Sequence, residues 1–79
     1  MTMLATATPM SERPFVTARA AAELLGVPEA AVVADVAAGN ASGDFSRLNG
    51  GAAMGTVIVD AYELDGDRLA MHRARLAAP

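Results

Sequence analysis

Residues 16–39 read VTARAAAELLGVPEAAVVADVAAG, and the fold turns on this stretch. Thr17 is a natural helix cap, because its hydroxyl can accept from a free amide of the first turn. From Ala18 to Leu25 every residue favours helix, with Ala21, Leu24 and Leu25 on one face. Gly26 predicts the stop, since a left-handed residue closes a helix and glycine takes that conformation without a Cβ clash. Pro28 suits the first position of a second helix, and Glu29 sets a negative charge against the positive end of its dipole. That helix is expected from about Pro28 to Ala38, stopping at Gly39-Asn40. Val16 to Gly39 therefore reads as two helices around a turn.

On the N-terminal side, residues 1–14 have no helical or strand period, with Thr2, Thr6, Thr8, Pro9 and Pro14 among small apolar residues. A flexible arm is expected there, and a single domain over 15–79 that opens with an extended Phe15-Val16. On the C-terminal side, Asn40 to Gly55 is loop by composition, with Phe45 and Leu48 as its anchors. Asn49-Gly50 could turn a hairpin between strands near Phe45–Leu48 and Thr56–Val59, and Val57-Ile58-Val59 is the strongest strand signal in the chain. After Asp65-Gly66-Asp67, residues 68–78 carry Leu69, Arg73 and Leu76 at helical spacing, with Asp65 or Asp67 as the cap. The competing reading is a hairpin at Asp65-Gly66 with a returning strand, because Tyr62, Leu64, Leu69 and Met71 alternate. The fold class is α+β: two short helices, a hairpin and a C-terminal helix.

The core must be thin. The chain has 79 residues, and much of its 53% apolar fraction is alanine, whose methyl contributes far less on burial than a leucine side chain. The large core candidates are Phe15, Leu24, Leu25, Val27, Val32, Val33, Val36, Phe45, Leu48, Val57, Ile58, Val59, Tyr62, Leu64, Leu69 and Leu76. Apolar burial and chain entropy nearly cancel at this size. With no cysteine, neither a disulfide nor a thiolate metal site can help, which leaves association with a partner or with itself.

The run Thr17-Ala18-Arg19-Ala20-Ala21-Ala22-Glu23-Leu24-Leu25-Gly26-Val27-Pro28, followed by Val32 and closed by Gly39, resembles the first half of MerR-like and phage excisionase-like winged helix-turn-helix domains. Val57-Ile58-Val59 and a helix from Arg68 match that family's wing and closing helix, so the resemblance covers about residues 15–77. It implies a winged fold in which Pro28, Glu29, Ala30, Val33, Ala34 and Ala37 face DNA. The chain departs from the family in what those positions carry, namely one carboxylate and no side-chain donor. Base edges are read by Arg, Lys, Asn or Gln, and phosphates by basic or hydroxyl groups. Asp35 also stands where the family has a large apolar residue.

Charge points the same way. Six arginines, no lysine and nine carboxylates give a net charge of -3, whereas nucleic-acid affinity comes largely from cations that release phosphate counterions. The expected function is thus a non-enzymatic protein-interaction or assembly subunit on a helix-turn-helix scaffold, of a kind that suits a phage or phage-derived structural component. Its contact surface would be Ala30, Val33, Ala34 and Ala37. The alternative is a DNA-binding regulator or excisionase-type recombination directionality factor acting through Arg13, Arg19, Arg47, Arg68, Arg73 and Arg75. No cofactor or metal is expected. Asp65 and Asp67 lack the further oxygen ligands of a calcium loop, and His72 reads as a solvent-facing helix residue. Gly50 to Gly55 lacks the GK[ST] of a phosphate loop. Asn40-Ala41-Ser42 is expected to match a glycosylation sequon by chance, no secretion signal being expected at Met1 to Met10, and no apolar run approaches the ~20 residues of a membrane span. The expected location is the cytoplasm, or a particle assembled in it.

Overall fold

The computed structural model describes residues 14–77, so the arm expected over 1–14 lies outside the described residues except for Pro14. The order is β1 (Phe15–Thr17), α1 (Ala18–Leu25), α2 (Glu29–Ser42), β2 (Gly50–Ala53), β3 (Thr56–Asp60), a single 3-10 turn (Ala61–Leu64) and α3 (Gly66–Ala77). The class is α+β, with two helices joined by a short turn, a three-stranded antiparallel sheet and a closing helix. Residues 68–77 are helix, so the alternating reading of Leu69 and Met71 as a strand is discarded. Asp65 sits extended just before α3, and its carbonyl accepts from the Arg68 and Leu69 amides.

Local chemistry sets the first helix pair. Thr17 Oγ1 accepts from the Ala20 amide at 3.1 Å, and Gly26, at φ 71°, sends its N–H back to the Ala22 carbonyl. Pro28 is the extended residue immediately ahead of α2, and Glu29 occupies the first turn. Helix α2 runs past Gly39 to Ser42 and is closed by Gly43, also at φ 71°. The expected stop at Gly39-Asn40 is thereby corrected. A Cβ at Gly39 would lie 3.1 Å from the Arg47 Cβ, so this glycine lets the following loop approach and leaves the helix intact.

The sheet order is β1-β3-β2, antiparallel throughout, with Val16 opposite Val59 and Gly51 opposite Ile58. The hairpin turns at Met54-Gly55, both at positive φ (53° and 80°), as a two-residue turn between right-twisted strands requires. The turn expected at Asn49-Gly50 is therefore misplaced, and so is the strand expected over Phe45–Leu48. Gly50 instead starts β2, and a side chain there would run into the Ile58 carbonyl.

The core is Ala18, Ala21, Ala22, Leu25, Val32, Val36, Leu48, Val59 and Leu64, with Val16, Val27, Val33, Val57, Leu69 and Leu76 packed against it. Three of the sequence-expected core residues are exposed, and Phe15 and Ile58 are only half-buried outside this cluster. Phe45 is 91% exposed, Tyr62 59% and Leu24 49%. Leu24 misses because the buried stripe of α1 is Ala18, Ala21, Ala22 and Leu25, a spacing that turns position 24 outward. Leu48 alone anchors the loop. Phe45 lies in a turn held by Asp44, whose Oδ1 accepts from the Ser46 amide and hydroxyl at 2.9 and 2.7 Å.

Candidate functional site

Helix α2 is apolar on both sides. Its inner side buries Val32, Asp35 and Val36, while Ala30, Ala34, Ala37 and Ala41 are exposed. These four recur at intervals of four, three and four residues, so they form one stripe about 16 Å long at 1.5 Å per residue. Val33, expected in the same surface, is half-buried against the core. From Ala30 to Gly43 the only charged residue is Asp35, and it faces inward. The outer face of α2 thus presents methyl groups, with Asn40 and Ser42 at its far end. Ser42 Oγ donates to the Ala38 carbonyl at 2.9 Å and Asn40 Nδ2 to the Gly50 carbonyl at 3.3 Å. The sequon is therefore the last turn of a helix.

A buried polar network underlies this face. Asp35 Oδ1 accepts from Arg75 Nη1 at 2.7 Å and Arg47 Nη1 at 3.0 Å, and Oδ2 from Arg75 Nη2 and the Leu48 amide at 2.8 Å each. Burial alone would raise the Asp35 carboxyl, but the bonds from Arg75, the Leu48 amide and Arg47 outweigh it and bring the pKa down to about 2. Arg75 is raised in turn, first by its hydrogen bond to Asp35. Arg75 Nη2 also donates to His72 Nδ1 at 2.8 Å, and His72 Nε2 lies 2.8 Å from Glu63 Oε1. Glu63 further accepts from Arg68 Nε at 2.7 Å and the Asn49 amide at 3.2 Å.

His72 is fully buried, which corrects the solvent-facing placement. A guanidinium can only donate, so Nδ1 must accept, and Nε2 carries the hydrogen given to Glu63. The ring is neutral in this arrangement. Asp35, Glu63 and His72 were missed as one unit because Asp35 and Arg75 are 40 residues apart. The only sequence signal was a lone aspartate inside an apolar helix.

The network settles the arginines one by one. Arg47, Arg68 and Arg75 hold internal carboxylates. Arg19 on α1 and Arg73 on α3 are exposed and make no ion pair among the described residues. Arg13 lies outside the described residues. Among the described residues, the five remaining positions of the nucleic-acid alternative are not gathered into one free cationic surface.

A cleft of about 460 Å³ separates the 44–49 loop from the 3-10 turn, with exposed Phe45 and Tyr62 among its lining residues. The Arg68 guanidinium lies 5.4 Å from the Tyr62 ring centroid. The carboxylates on its wall are engaged, Asp60 by the Tyr62 amide at 3.0 Å and Glu63 by the network. No group of three potential metal-binding side chains occurs among the described residues. No helix among them is long and apolar enough to cross a membrane. Comparison with protein-family models, with curated proteins and with solved structures returns no match.

Proposed function

We propose that this chain is a non-enzymatic assembly subunit that offers the outer face of α2 to another protein, first of all to another copy of itself. The observation that carries the reading is the uncharged stripe Ala30, Ala34, Ala37 and Ala41 on a helix that is apolar on its inner side as well. A helix apolar all round belongs in covered surroundings. Methyl groups add closeness, since they let a facing helix approach to the short end of the ~8–10 Å interaxial range. Val33 extends the apolar surface inward to the core. A particle built inside a cell, such as a phage-derived structure, is a setting that suits such a subunit.

The nucleic-acid alternative keeps one argument, the order of helix-turn-helix, hairpin and closing helix. Against it stand the donor-free helix, the exposed carboxylate Glu29 at its start and the three arginines committed to Asp35 and Glu63. Because the chain has no cysteine, Ala34→Cys gives a unique site for an environment-sensitive fluorophore. Its emission should shift to the blue as protein concentration rises and stay unchanged when random duplex DNA is added at low salt. A probe that ignores concentration and responds to DNA, with the response lost steeply as salt is added, overturns the reading.

A further inference from the structure

The two edges of the sheet are protected unequally. β1 is three residues long, follows Pro14 directly and passes at Thr17 into a helix, so it offers little edge to pair with. β2, at the other edge, is Gly50-Gly51-Ala52-Ala53. It carries no charge, no proline and no side chain larger than methyl, so apart from its shortness and the Asn40 bond to the Gly50 carbonyl it lacks the devices that keep an edge strand from pairing.

Its register fixes which groups are open. Ala53 and Thr56 close a two-residue turn and form a hydrogen-bonded pair, so the alternation of an antiparallel ladder turns the N–H and C=O of Ala53 and Gly51 toward β3 and those of Ala52 and Gly50 away. Two bonds agree with this phase. The Asp60 amide donates to the Asn49 carbonyl at 2.9 Å, and the Gly50 carbonyl accepts from Asn40 Nδ2, off the sheet. The outward Gly50 and Ala52 amides and the Ala52 carbonyl have no partner among the described residues.

We infer that the β2 edge pairs antiparallel with the β2 edge of a second copy, joining two three-stranded sheets into one of six strands. The edge is self-complementary. With Gly51 opposite its counterpart on a two-fold axis, Gly50 faces Ala52 of the second copy and Ala52 faces its Gly50. Each outward amide then meets an outward carbonyl. The Gly50 carbonyl uses its second lone pair, the first being taken by Asn40. The close non-hydrogen-bonded pair on the axis is two glycines, with no side chain to hold the strands apart. The chain carries a net charge of -3, and this edge is a place where two copies meet without bringing like charges together. The same register brings Met54, fully exposed at a positive φ, alongside the second copy's loop near Leu48.

This contact is separate from the α2 face, and the test keeps the two apart. In a full chain carrying Ala34→Glu and Ala37→Glu, sedimentation should give twice the single-chain mass of 8.0 kDa. Adding Gly51→Asp should return the mass to 8.0 kDa, because two carboxylates would face each other on the axis. A Cβ at Gly51 meets nothing within 4 Å, so the single chain tolerates this change. Ala52→Pro, which removes only an outward N–H, should do the same with an unchanged circular dichroism spectrum. An 8.0 kDa species before either edge substitution overturns the inference. So does a dimer that survives both in folded chains. Failure of the α2 reading looks different, as an Ala34→Glu, Ala37→Glu chain that sediments like the wild type.

Discussion

Asp35 is a carboxylate inside an apolar helix, and its partners arrive from two directions: Arg47 and the Leu48 amide from the loop after α2, and Arg75 from α3. Its folded-state pKa, about 2, lies below the ordinary aspartate value of 3.8. A depressed carboxylate stabilises the fold fully above the unfolded value and loses that contribution as pH falls through the folded one. Unfolding free energy should therefore drop by about 2 kcal/mol between pH 4 and pH 2 on account of this group. Asp35→Asn should remove this part of the acid sensitivity and cost about 2 kcal/mol at neutral pH, because Arg75, only a quarter exposed, loses its counter-ion. Urea titrations across this pH range check both; a variant with the wild-type acid profile contradicts the assignment. At His72 the prediction is spectroscopic. Nitrogen-15 shifts should show a neutral ring with hydrogen on Nε2, and hydrogen on Nδ1 would contradict the Arg75 contact.

Elements differ in how openly the sequence announces them. Thr17, Gly26 and Pro28 act on their immediate neighbours, so α1, the turn and the start of α2 were readable from local chemistry. Gly39 and Gly43 offer the same residue type for two different reasons. One makes room for Arg47 and the other takes the left-handed cap, and only the packed loop distinguishes them. The hairpin was misplaced for a related reason. Asn-Gly is the better turn sequence, but the chain turns at Met54-Gly55 and accepts positive φ at a methionine. Non-glycine residues pay roughly 1 kcal/mol or more there, and asparagine less. Met54→Asn should accordingly raise the unfolding free energy of the single chain by up to about 1 kcal/mol, seen as a higher melting temperature. A lower melting temperature at dilute concentration would show that the methionine stabilises the isolated fold.

At the scale of the whole molecule, the surface is divided by what the interior consumes. Three arginines that composition alone would offer to phosphate are held by Asp35 and Glu63. That pairing spans three elements and could not be read from spacing along the chain. The apolar stripe on α2 was readable, because Ala30, Ala34 and Ala37 sit at helical spacing in an uncharged run. Its limit was not readable, since Val33 turns partly into the core. Exposed Ala34 and Ala37 are for this reason better probes of a contact than Val33, whose replacement by a charge would disturb the fold itself. The most direct measurement is sedimentation velocity of the full chain at rising concentration, wild type beside Ala34→Glu, Ala37→Glu with matched circular dichroism. The wild type should sediment as a larger species than the variant at every concentration where it associates. Identical sedimentation of the two would contradict the claim that the outer face of α2 is a protein contact.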